Sequence, residues 1–141
     1  MGNKYLPKRN SSYTIFFKQK YHIEKNYSYL NCNISNNQLV CYGKLQPNEF
    51  CEIYKVKIIY NRGYKPKVFI IEPKITYNDD IHLYTDNSLC LFHPTDLIWN
   101  DDKIIIANTI IPWISEWIIF YEIWKVIGKW LGDEVKHTSN K

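Results

Sequence analysis

Four short runs of strand-forming residues, set close together and divided by turn clusters, constrain this chain most. Tyr27 to Ile34 and Gln38 to Leu45 flank Ser35-Asn36-Asn37, so they read as a hairpin. Pro47-Asn48 punctuates, and Cys51 to Tyr60 follows with a two-residue alternation. Ile53, Lys55, Lys57 and Ile59 lie on one side of that run and Tyr54, Val56, Ile58 and Tyr60 on the other. Both sets are partly apolar, so both faces are open to being covered. Asn61-Arg62-Gly63 turns the chain again, and Lys67 to Ile71 is a fourth strand closed by Pro73. Spacing this short leaves no room for crossover helices, so the strands form an antiparallel meander.

Helical signals flank the meander. Tyr13 to Lys25, with Ile15, Phe16, Tyr21 and Ile23, reads as a short N-terminal helix. Pro112 to Leu131 reads as a long one, with Trp113, Trp117, Phe120, Trp124, Ile127 and Leu131 on a single face at steps of three and four. Pro112 suits its first turn and Gly132 its end. Glu116, Glu122, Lys125 and Lys129 interrupt its apolar run, which argues against a membrane span. The sequence predicts an α+β fold, with one domain over residues 13–137 and a flexible basic arm over 1–12.

Charge narrows the function. The net charge is +4, but residues 1–25 carry six basic side chains and one acidic, so the remaining body is near neutral. A body without a basic stripe is not expected to bind nucleic acid. Met1 to Lys20 has no continuous apolar stretch of the kind an export signal needs. The cysteines at 32, 41, 51 and 90 lack any C-x-x-C spacing. Together these predict a cytoplasmic protein with free thiols and neither metal nor cofactor.

Between the meander and the long helix lies an irregular segment, and it holds the candidate chemistry: His82-Leu83-Tyr84-Thr85-Asp86-Asn87-Ser88-Leu89-Cys90-Leu91-Phe92-His93-Pro94. Long irregular segments in small domains are often functional. Cys90 follows a polar turn, and His82 and His93 are near enough in sequence to supply a proton acceptor or donor. Asp86 reads as a turn residue rather than a base, and His93-Pro94 also fits a turn-shaping role. His137 lies near the chain end. For Cys32, Cys41 and Cys51, in strand runs, a core role is expected.

This order of features resembles the ubiquitin-conjugating (UBC) enzyme fold. Tyr64-Lys65-Pro66-Lys67-Val68 is similar to that family's proline-rich entry to its fourth strand. Asp86-Asn87-Ser88-Leu89-Cys90-Leu91 is similar to its Asp-Gly turn before Ile-Cys-Leu, and Trp99 stands nine residues after the cysteine, close to the family's tryptophan. The eukaryotic family carries His-Pro-Asn ten to eight residues before the cysteine, where this chain has Asp80-Ile81-His82. By that resemblance His82 occupies the position of the oxyanion-supporting asparagine.

Tyr42-Gly43-Lys44-Leu45-Gln46-Pro47, the pairing of His82 with Cys90, and the tail Ile110-Ile111-Pro112-Trp113…Trp117…Trp124…Trp130 resemble the bacterial relatives found in CBASS anti-phage operons. The resemblance spans about residues 27–137. It implies that Cys90 forms a thioester with the C-terminus of a cGAS-like nucleotidyltransferase and passes it to an amine, with any ATP-dependent activation supplied by a separate activating enzyme. A binding module that holds or stabilises the nucleotidyltransferase without catalysis is the alternative, and an unrelated Cys/His hydrolase a third reading.

Overall fold

A computed structural model of the protein describes residues 11–93 and 95–132. Residues 1–10 of the expected arm, Pro94 and residues 133–141, His137 among them, lie outside the described residues.

Helix α1 runs Ser12–Asn26, and Ser11 caps it by accepting the Thr14 N–H at 3.1 Å. Ile15, Phe16, Gln19 and Ile23 form its buried face, while Tyr21 is exposed with Tyr13 and Phe17. The strands are β1 (Leu30–Ser35), β2 (Gln38–Leu45), β3 (Tyr54–Tyr60) and β4 (Lys67–Glu72), joined as an antiparallel sheet in the order 1-2-3-4. Asn36 and Asn37 both take positive φ, 50° and 61°, as a two-residue hairpin loop between right-twisted strands requires. Gly43 is forced by packing: a Cβ there would stand 2.1 Å from the Tyr29 carbonyl oxygen.

Only one face of β3 is fully covered. Tyr54, Val56, Ile58 and Tyr60 are buried, whereas Ile53 and Lys55 are exposed and Lys57 and Ile59 half-buried. Tyr54 donates its hydroxyl to Glu122 and Tyr60 to Asp101, so both rings can be buried without stranding their oxygens. Burial first, and then the neighbouring carboxylate, raises both phenols above their ordinary range. Asp101 also accepts the Gly63 N–H at 2.8 Å and the Trp99 indole N–H at 3.0 Å, which assigns Trp99 to the packing around Tyr60.

The described residues between 73 and 109 are largely irregular, with short 3₁₀ turns at Asp79–Ile81 and Ile106–Asn108. Gln19 fastens this segment to α1. Its fully buried amide donates to the Ile104 carbonyl at 2.8 Å and accepts the Ile106 N–H at 2.9 Å, and the Tyr27 hydroxyl donates to the Ala107 carbonyl at 3.0 Å.

Helix α2 spans Ile110–Ile127 and corrects the expected helix in two ways. It ends at Gly128 rather than Gly132: Gly128 takes φ 73° and its N–H bonds the Trp124 carbonyl at 2.7 Å. Its buried face is Ile110, Ile111, Ile114, Trp117, Ile118 and Tyr121. Of the expected aromatic face, Trp117 alone is buried; Trp113, Phe120 and Trp124 are half-buried and Ile127 and Leu131 exposed. The compact isoleucines fit the tight space over the core, and the large rings flank it. No helix among the described residues is long and apolar enough to cross a membrane.

The expectation of free thiols fails for one pair. Cys32 and Cys41 are direct cross-strand partners with Cα atoms 4.0 Å apart, and they form a disulfide within the sheet. Cys51 and Cys90 are not in a disulfide.

Candidate active site

The loop carrying Cys90 is a small antiparallel hairpin. Leu83 and Leu89 form a bridge, the Cys90 N–H donates to the His82 carbonyl at 2.9 Å, and the Tyr84 N–H to that of Ser88 at 2.9 Å. Asn87 takes φ 71° at the tip, a conformation that asparagine tolerates better than most side chains. Asp86 closes the turn by accepting the Ser88 N–H at 2.9 Å and hydroxyl at 2.6 Å, with Lys67 on its other oxygen at 2.8 Å. Lys67 first, then Ser88, holds the Asp86 carboxyl well below the usual carboxylate range. The Leu89 N–H bonds the Val68 carbonyl at 2.9 Å, which docks the hairpin on β4.

Cys90 is half-buried. Burial pushes its thiol up, while a hydrogen bond from Tyr84, and then the charge of Lys65, act in the opposite sense. The Tyr84 hydroxyl is itself raised, by burial first and then by Cys90, so it keeps its proton and can donate to sulfur. Lys65 Nζ donates to the Tyr84 oxygen at 2.6 Å and lies 4.4 Å from the centre of the Tyr84 ring and 5.3 Å from that of Phe92. Lysine, tyrosine and cysteine thus form one line of polar contact.

His82 approaches from another side. It follows the 3₁₀ turn Asp79–Ile81 in the left-handed conformation, φ 56°, and the Trp117 indole N–H reaches its carbonyl at 3.2 Å and that of Ile81 at 3.0 Å. The imidazole stacks on Trp130, with ring centres 5.0 Å apart and planes at 15°. His82 and Cys90 line a common cleft of about 80 Å³ with Trp113, Glu116 and Phe120. The structure therefore brings these two sequence candidates together. His93 is placed apart from that cleft: its Nδ1 bonds the Thr95 hydroxyl at 2.7 Å and accepts the Thr95 N–H at 3.1 Å, within the next turn.

Sequence reasoning missed Lys65 and Tyr84 as members of the site. Tyr84 lay inside the stretch singled out. Lys65 had only its place in the proline-marked entry to β4, and nothing local joins two residues 19 apart.

A helix, a four-strand meander, a cysteine-bearing hairpin and a tryptophan-rich helix define a UBC-like protein. The family model described as Type II CBASS E2 protein matches residues 19–138, and the chain belongs to that family. No curated protein matches it. Membership implies a conjugating, cysteine-based transferase role in an antiviral pathway alongside a cGAS-like nucleotidyltransferase.

Proposed function

We propose that Cys90 takes the C-terminal acyl group of a cGAS-like nucleotidyltransferase as a thioester and passes it to an amine, priming that partner for signalling. The observation that carries this reading is the accessible Cys90 thiol, hydrogen-bonded by a tyrosine that a lysine backs, in a cleft shared with His82. The carboxylate arrives activated, as an adenylate or as the thioester of a separate activating enzyme. Sγ attacks the carbonyl carbon, a C–S bond forms, and AMP or the enzyme's thiol departs. Tyr84 and Lys65 favour the thiolate that attacks, against the burial that raises the thiol. His82, fixed by its stack on Trp130, is the donor to the oxyanion that forms in the cleft and the acceptor of the proton an incoming ammonium sheds. In the second step the amine nitrogen attacks, the C–S bond breaks, and Cys90 leaves as thiolate.

Mixing the protein with the nucleotidyltransferase, an activating enzyme and ATP should give an early adduct that a thiol reductant cleaves. Cys90→Ser should give a reductant-resistant ester and Cys90→Ala no adduct. An unchanged adduct on Cys90→Ala would overturn the assignment.

A further inference from the structure

We propose that the chain's own Lys65 accepts the acyl group from Cys90, through an S-to-N shift that leaves an amide on the lysine side chain. The inference rests on the thioester reading above and names the amine within it. Its first support is position. Lys65 Nζ is 2.6 Å from the Tyr84 oxygen, and that hydroxyl bonds the Cys90 sulfur, so a single hydroxyl group separates amine from thiol. An amine held this close competes with free amines at a very high effective concentration.

The second support is the lysine's surroundings. Lys20, Lys67 and Lys125 each meet a carboxylate at 2.8–3.4 Å. Lys65 makes no such ion pair among the described residues and sits half-buried between the Tyr84 and Phe92 rings, beside a cleft of about 320 Å³ that reaches Leu91, the neighbour of Cys90. That cleft offers room for an acyl chain on the lysine side of the sulfur.

The third support is charge. Burial is the main influence lowering the Lys65 ammonium's pKa, and Lys67 adds to it; the Cys90 thiolate and Asp86 oppose them. An acylated Cys90 cannot carry a charge, so its opposing influence is absent from the thioester. Asp86 remains, but Lys67 and Ser88 already occupy its oxygens. In the thioester, burial and Lys67 therefore favour the neutral, nucleophilic amine with only Asp86 against them. The Lys65 nitrogen attacks the thioester carbonyl, a C–N bond forms and the C–S bond breaks. The proton lost from nitrogen passes through the Tyr84 hydroxyl to the departing sulfur, so thioester and amine become amide and thiol with nothing else consumed.

The test uses the intact protein and the 2-mercaptoethanesulfonate thioester of N-acetylglycylglycine, which acylates thiols by exchange, with acylated positions mapped by mass spectrometry over time. The acyl mass is expected on Cys90 first and then on Lys65 as a hydroxylamine-resistant amide. Lys65→Arg keeps the charge and the donors but cannot accept under these conditions, so its acyl group should stay on Cys90 and remain hydroxylamine-labile. Cys90→Ala should lose the Lys65 amide. Equal Lys65 acylation in Cys90→Ala overturns the proposal. So does a wild-type Cys90 acyl group that persists, hydrolyses or moves to another lysine. Failure of Cys90 to acylate at all would remove the thioester reading and this inference together.

Discussion

At the scale of single residues, the thiol's reactivity turns on a hydroxyl that no local motif marks. Tyr84→Phe deletes the donor to Cys90. That donor lowers the thiol pKa, so its loss moves thiolate formation to higher pH. A hydrogen bond to a charged group is worth roughly 1.5–3 kcal/mol. Iodoacetamide alkylation of Cys90 at neutral pH should therefore slow about tenfold or more in Tyr84→Phe, with the midpoint of its pH profile displaced upward. An unmoved profile would detach Tyr84 from the thiol. Asp86 sets the opposite kind of dependence. Its carboxyl is held below the ordinary value, so its contribution to the folded hairpin is full above about pH 4 and is lost as pH falls through the folded value. Amide protection across Thr85–Ser88, taken relative to the intrinsic exchange rate, should fall in acid, and in Asp86→Asn already at neutral pH. The Asp86 turn was legible in the sequence because its Ser88 partner is two residues away. The Lys65–Tyr84 contact was not, because it depends on how β4 and the hairpin dock.

At the scale of elements, legibility follows the same division between local and long-range causes. The limits of β2 and the turn at Asn36-Asn37 could be read directly, because alternation and positive φ are local requirements. The face of α2 could not. Trp113, Trp117, Phe120 and Trp124 carry the loudest period, yet the isoleucines between them fill the core with Trp117, and Trp113 and Phe120 border the cleft. Apolar residues all round a helix leave its orientation to packing. The disulfide likewise depended on register, since only pairing Cys32 opposite Cys41 joins them. Gln19 offers the sharpest energetic test. Gln19→Leu leaves the Ile104 carbonyl and the Ile106 N–H without their side-chain partner, at a cost of about 2–4 kcal/mol. Urea unfolding should show that loss with little change in slope. A midpoint unchanged from wild type would mean that the Gln19 bonds add nothing to the other contacts that hold α1.

For the molecule as a whole, the chain beyond α2 turns back and completes the site. Trp130 is buried against Trp117, Phe120 and His82, and Gly132 lies so near that a Cβ there would come 2.6 Å from the Trp130 indole nitrogen. Trp130→Ala should cost about 3 kcal/mol by calorimetry or denaturant titration. It should also free the His82 imidazole, visible as sharper, shifted ring resonances in an NMR spectrum; an undisturbed His82 signal would contradict the stack. Tryptophans in the tail were plain in the sequence, but their return to the cysteine was not, because it runs through the turn at Gly128.

The Gln19 clamp carries a consequence for how the protein is made. On the ribosome α1 and the whole meander emerge well before residues 104–107, which hold the partners of Gln19 and Tyr27. Until those residues appear, the first helix is tied to the meander through Lys20 and Glu24 at the Cys32 backbone but lacks the partners of Gln19 and Tyr27. A nascent chain arrested short of residue 104 should thus be cut readily by protease within α1, and one extended past α2 should resist. The earliest-made helix is thus completed only by residues from the far side of the meander.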